Sequence, residues 1–143
     1  MGKFYFVRHG QTVWNVENKI CGATDSPLTE LGHRQAQETG RMLKEKIDRG
    51  ELHVDEILTS PLSRAYDTAV EISKMIGVPM RVEERLIEQS FGCWEGTPRN
   101  GQEFKKAKES FLDSFDGGES MMHVGQRIYN LIDDIKKEPE KTY

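Results

Sequence analysis

Four apolar residues in succession, Phe4 to Val7, stand out from a mixed polar background near the start of the chain. An aromatic and β-branched run without a polar break predicts a short, buried strand. It ends on Arg8 and His9, with Gly10 directly after. A loop of turn formers, ICGATDSPLTELG, follows from Ile20. From about Thr29 to Ile47 the spacing predicts a helix, with Leu31, Ala36, Leu43 and Ile47 on one face and with Gly32 and Gly40 costing helix propensity. EILTS, from Glu56 to Ser60, reads as a second strand. SPLSRAYDTAVEISKMIG then reads as a helix, with Ser60 as its N-cap, Pro61 in the first position and Gly77 as its stop. VPMRVEERL, from Val78, is a third strand, and an irregular polar segment with several glycines comes after it. The last element is a helix from Met121 to Lys137. Its Met121, Val124, Ile128, Leu131 and Ile135 keep helical spacing, and Pro139 ends it.

Strand, helix, strand, helix, strand is the α/β order, which implies a mainly parallel sheet with right-handed crossovers and flanking helices. Ligands of such sheets bind beyond the carboxyl ends of the strands. Arg8 and His9 occupy one such end. Arg64 follows another, in the first turn of the next helix, where free N–H groups and the helix dipole favour an anion. Glu88 follows the third. Three junctions therefore carry an arginine–histidine pair, an arginine and a glutamate to one edge.

Composition narrows the picture. The 143 residues suit one domain, 1–143, with 36% hydrophobic and 31% charged residues. A net charge of −4 disfavours nucleic acid or an anionic membrane as partner. No apolar run reaches membrane-spanning length, and Phe6 stands where a myristoylation signal needs Ser or Thr. The only cysteines, Cys21 and Cys93, make no disulfide framework or metal pair, so a cytoplasmic protein with reduced thiols is expected.

The chemistry that fits those residues is phosphoryl transfer. Guanidinium forks suit a phosphate dianion, and a neutral imidazole can attack phosphorus to form phosphohistidine. A carboxyl group raised in pKa by burial can protonate the leaving oxygen and then activate water. His9 as nucleophile, Arg8 and Arg64 as anion ligands and Glu88 as acid fill these roles without a metal or cofactor. Glu83, Glu84 and Glu95 lie near Glu88 as alternatives. His33, His53 and His123 read as surface or packing histidines, Trp94 as core, and Met121 and Met122 as packing residues. Arg99, Lys105 and Lys106 are either contacts for an acidic substrate or a solvated helix face.

FVRHGQTVWN resembles the signature of the histidine phosphatase superfamily, also called phosphoglycerate mutase-like. CGATDSPLTELG, TSPLSRAYDTA, LIEQSFGCWEG and GGES resemble its later segments, in order, from Lys3 to Tyr143. The resemblance implies a three-layer α/β fold with His9 as nucleophile, Arg8, Asn15 and Arg64 on phosphate, Glu88 as acid, and Cys21 and Gly22 lining the substrate. From the residues alone, Asn15 also reads as a turn or cap residue and Cys21 as a small apolar filler. The segment after Glu88 is short and its FGCWEG looks like the small phosphatases, so a phosphatase of small phosphorylated metabolites is expected over a 2,3-bisphosphoglycerate-dependent mutase. The family's second histidine belongs to a strand after the last helix, a strand expected to lie beyond KEPEKTY. The resemblance thus makes the chain a C-terminally incomplete domain. Three further expectations follow: an open edge along Phe4–Val7, pairing of that edge with a second copy, and a rival reading as a phosphate-binding piece without turnover.

Overall fold

The computed structural model describes residues 3–143. Its helices are α1 (Val13–Val16), α2 (Glu30–Asp48), α3 (Ser63–Ile76), α4 (Gln102–Ala107) and α5 (Met121–Ile135). Two strands, β1 (Ile57–Thr59) and β2 (Met80–Val82), pair in parallel with Ile57 opposite Met80 and Thr59 opposite Val82. Helix α3 is the crossover between them and packs on both strands and on α2. Single 3₁₀ turns at Glu84–Leu86 and Gly92–Trp94 complete the irregular stretch.

Helix α2 begins and ends within a residue of expectation because Thr29 accepts the Gly32 N–H as an N-cap. Its buried face differs. Leu31 is 42% exposed, whereas Gly32, Ala36 and Gly40 are buried. The two glycines that weaken the helix locally are the points of closest approach. A Cβ on Gly32 would lie 2.1 Å from the Gln11 carbonyl oxygen, and one on Gly40 would lie 3.1 Å from the Met75 Cβ of α3.

Helix α3 starts at Ser63, two residues later than Ser60 as N-cap and Pro61 as first position predict. Its cap comes from a distant loop: Asp25 accepts the Ser63 N–H at 2.9 Å and the Ser63 hydroxyl at 2.9 Å. Gly77, at φ 71°, closes the helix as expected.

The expected buried strand at Phe4–Val7 is a correction. No strand is formed there, and Phe4, Tyr5, Phe6 and Val7 are exposed, Phe6 to 87%. Residues 142–143 pair with this segment, the Tyr143 N–H donating to the Lys3 carbonyl and the Tyr5 N–H to the Tyr143 carbonyl. Thr142 also accepts the Asp55 N–H ahead of β1. Phe6 meets only the edge of Phe4 among the aromatic rings and Val7 stays half open, so composition alone does not bury them. Met121 and Met122 are likewise exposed, although Leu131 of the same helix is buried. Ion pairs add to the burial of Leu131 in fastening helix α5: Arg85 bridges Glu83 and Asp134, and Arg127 grips Glu119 at 2.8 Å. Apart from the sheet, Ile20, Phe104 and Phe115 form a cluster joined by Phe91 and Trp94, which gives the expected core role of Trp94 a half-buried form.

Two stability measurements follow. Helix propensity alone makes Gly32→Ala stabilising by about 1 kcal/mol. The backbone contact reverses the sign, so the urea midpoint should fall by the equivalent of roughly 1–3 kcal/mol; a rise would show that the contact relaxes freely. The Arg85 side chain, with its backbone N–H and charge, holds the Glu83 carboxyl down at about 2 from its usual 4.5. A depressed carboxyl stabilises the fold above its unfolded value and loses that contribution as pH falls through the folded one. Stability should therefore drop between about pH 4.5 and 2, and Glu83→Gln should flatten that part of the profile in pH-dependent urea titrations.

Candidate active site

A cavity of ≈ 710 Å³ lies between the segment carrying Arg8 and His9 and the end of β1. Arg8, His9, Arg64, Glu88 and Arg127 line it, so the residues expected at three separate junctions do meet. A second cavity, ≈ 350 Å³, opens on the other side of Arg8 and His9 and is lined also by Gln11, Asn15, Gln35 and Thr39.

His9 is half-buried, and its Nδ1 lies 2.7 Å from the Gly10 carbonyl oxygen. A carbonyl only accepts, so Nδ1 carries the proton and Nε2 keeps its lone pair. Burial pulls the imidazole below its ordinary 6.5, and the charges of Arg64 and Arg8 add to this; the Gly10 hydrogen bond and Glu88 oppose it. The result is a neutral ring of one defined tautomer.

The backbone after His9 is fixed from two sides. The Gly10 N–H donates to Thr68 Oγ1 at 3.2 Å, and that hydroxyl donates to the Arg64 carbonyl at 2.7 Å. Gly10 also lies against α2, where a Cβ would come within 2.2 Å of the Gly32 oxygen. Sequence reasoning does not single out Gly10 and Thr68; the signals present are a glycine next to His9 and a hydroxyl one helical turn after Arg64.

Arg64 is only 3% exposed and forms no salt bridge among the described residues. Its Nη2 donates to the Gly22 carbonyl at 2.8 Å, and its Nη1 to the Thr24 carbonyl at 3.1 Å and to Cys21 Sγ at 3.3 Å. Neutral acceptors thus satisfy a buried cation. Cys21 and Gly22 take their places here through Arg64. Burial pushes the Cys21 thiol up, with Arg64 partly offsetting it. Burial would likewise raise the Asp25 carboxyl, but the Ser63 and Ser26 hydrogen bonds and Arg64 outweigh it and hold the group low.

The other expected residues take varied places. Asn15 caps α1: its Oδ1 accepts the Thr12 N–H at 3.0 Å while its own N–H donates to Thr12 Oγ1. The cap reading fits this side chain, which nonetheless lines the smaller cavity beside Arg8 and His9. Glu88 is exposed, where a buried acid was anticipated, and its Oε1 accepts the Gln89 N–H. Arg8 is exposed. His33, His53 and His123 face Glu71, Asp55 and Glu119, and none lines either cavity. Arg99 donates to the Lys19 carbonyl, and Lys105 and Lys106 lie exposed in the last turn of α4, as a solvated face requires. Among the described residues no helix is long and apolar enough to cross a membrane.

The model of the histidine phosphatase superfamily, branch 1, matches residues 4–142, and the chain belongs to that family. Phosphoserine phosphatase 1 of Hydrogenobacter thermophilus is 31% identical, over 96% of this chain and 65% of its own length. A probable phosphoglycerate mutase of Yersinia pestis is 33% identical, over 97% of this chain and 65% of its own. A mycobacterial glucosyl-3-phosphoglycerate phosphatase superposes with a TM-score of 0.78 at 33% identity, covering 93% of this chain and 63% of the other. The chain thus spans about 65% of the length of these curated relatives.

The His9 geometry is open to direct measurement. Its ring proton signals should titrate below the ordinary imidazole value of about 6.5, and the midpoint should move up in Arg64→Ala, which removes a nearby positive charge. No upward movement would mean that Arg64 does not act on this ring.

Proposed function

We propose that the chain carries the phosphate site of a metal-independent phosphomonoester hydrolase that acts on small phosphorylated metabolites through a phosphohistidine at His9. The observation that carries this reading is Arg64: a buried guanidinium without an anionic contact, in the same cavity as a neutral imidazole. A phosphate dianion supplies the missing countercharge, with the exposed Arg8 as a second fork. The Nε2 lone pair of His9 attacks phosphorus, the bond to the ester oxygen breaks, and Glu88 protonates the departing alkoxide. Glu88 then takes a proton from the water that attacks the phosphohistidine. Inorganic phosphate leaves and His9 returns to its starting form.

Phosphatase is favoured over mutase by the segment after Glu88. It folds on the Phe91, Phe104 and Phe115 cluster, and its cations Arg99, Lys105 and Lys106 do not line the cavity. A bisphosphorylated cofactor would require cations from this segment in addition to Arg8, Arg64 and Arg127, and the segment brings none to the cavity. Relatives with both names stand at similar identity, so identity alone does not separate the two. A second reading, phosphate binding without turnover, draws on two observations: His9 is the only histidine lining the cavity among the described residues, and Glu88 is exposed.

One assay separates these readings. Aryl phosphate hydrolysis should persist in EDTA, vanish in His9→Ala and fall by about two or more orders of magnitude in Arg64→Ala. Equal rates in the chain and in His9→Ala, with vanadate still bound, would leave the binding reading in place of the hydrolase. Loss of vanadate binding as well would overturn both. Phosphoglycerate interconversion primed by 2,3-bisphosphoglycerate would identify a mutase.

A further inference from the structure

Arg64 is held by backbone carbonyls, and a carbonyl is only as well placed as the loop that carries it. The loop from Cys21 to Asp25 has no regular secondary structure to fix it. Its Asp25 end is tied to Ser63 of α3, and its middle is held by one side chain. Glu95, half-buried in the FGCWEG segment, accepts the Ala23 N–H at 2.9 Å and the Phe91 N–H at 2.9 Å on Oε1. Its Oε2 accepts the Thr24 N–H at 2.8 Å and the Thr24 hydroxyl. Four donors thus converge on one carboxylate, and two of them are backbone N–H groups of adjacent loop residues. Gly22 lies directly over it, since a Cβ there would meet Glu95 Oε1 at 2.3 Å and the Gln89 oxygen at 2.4 Å. The loop is therefore drawn down onto Glu95 by its N–H groups. Its Gly22 and Thr24 carbonyls turn the other way, towards Arg64.

We propose that Glu95 is the positioning residue of the anion site: it folds the Cys21–Asp25 loop into the carbonyl cradle that aims the Arg64 guanidinium, without contacting Arg64 itself. The arrangement meets two opposing requirements. A buried guanidinium needs negative potential nearby, or its desolvation is prohibitive. A carboxylate in direct contact would neutralise the fork and compete with a phosphate for its donors. One layer of peptide between Glu95 and Arg64 keeps the first and avoids the second. Burial opposes ionisation of Glu95, but the Thr24, Phe91 and Ala23 hydrogen bonds outweigh it, so the carboxyl is held below its usual range and remains charged near neutrality. The sequence gives no reason to prefer this role, because Glu95 is one of several glutamates around Glu88.

The inference concerns the same site as the phosphate reading and deepens it, and its first test does not need phosphate. In the 15N-labelled chain, the Arg64 Nη–H protons, assigned by their loss in Arg64→Ala, should give resolved, slowly exchanging signals. Glu95→Gln presents an amide NH2 where the carboxylate accepted two donors, so these signals should broaden or average while far-UV circular dichroism is retained. Thr24→Val removes a single donor to Glu95. It should give a smaller effect in the same direction and decides the matter if Glu95→Gln fails to fold. Unchanged Arg64 signals in the folded variants would overturn the inference.

Inorganic phosphate supplies the second arm. Glu95→Gln should weaken its binding about tenfold and should add nothing in an Arg64→Ala background, because its effect runs through Arg64. Additive losses would make Glu95 a general structural residue and overturn the positioning role. If the Arg64 signals respond as expected but the unmodified chain binds no phosphate, the positioning role stands and the phosphate reading fails.

Discussion

The burial of one guanidinium constrains everything around the cavity. Arg64 brings a full charge into the interior in the first turn of α3, and a helix start has few side chains of its own to offer it. Its donors must therefore be met from elsewhere in the chain, and they are met by the Gly22 and Thr24 carbonyls and Cys21 Sγ. That demand fixes the path of the loop before α2. The same loop supplies Asp25, which caps α3, so the helix that carries Arg64 and the loop that receives it determine each other's position. Thr68, one turn further along α3, then ties the backbone beside His9 to the Arg64 carbonyl. A short chain of hydrogen bonds thus links the main chain of Arg64 to the backbone directly after His9.

Much of this order is legible in the residues. Thr29 marks the start of α2 and Gly77 the end of α3, because capping depends on one or two neighbouring side chains. The parallel pair and its helical crossover follow from local periodicity as well. What is not legible depends on partners distant in sequence. Ser60 and Pro61 look like a helix start, yet Asp25 moves the start to Ser63. Gly32 and Gly40 look like flaws in a helix until Gln11 and Met75 come within contact distance. Phe4–Val7 looks buried because its side chains are apolar, but burial belongs to whatever covers a strand, and here its side chains stay open to solvent.

The candidate site divides in the same way. Arg8, His9, Arg64 and Glu88 are found from their places after predicted strands, and the cavity brings them together. Asn15 shows two readings in one side chain: its oxygen closes the cap of α1, while the residue lines the smaller cavity beside Arg8 and His9. Nothing in the sequence position of Glu95 distinguishes it from Glu83 or Glu84, and only its four converging donors do so. Glu83 is engaged by Arg81 and Arg85, so its charge serves the attachment of α5 instead.

The electrostatics of His9 follow from the same placement of charge. Burial and the two arginines keep the ring neutral, which a nucleophile needs, but they also weaken its basicity and hence its attacking power. A phosphate dianion bound between the arginines would cancel part of their field at the ring. On the proposed reading, the substrate itself would then raise the basicity of the nitrogen that attacks it. The Gly10 carbonyl works in the same direction by holding Nδ1–H, since partial positive charge on the ring in the transition state strengthens that hydrogen bond. The arginines, which add to burial in making the empty ring a weak base, are thus the groups whose field a bound phosphate would partly cancel. Selectivity for a dianion over a neutral ester would follow from that coupling without any further contact to the rest of the substrate.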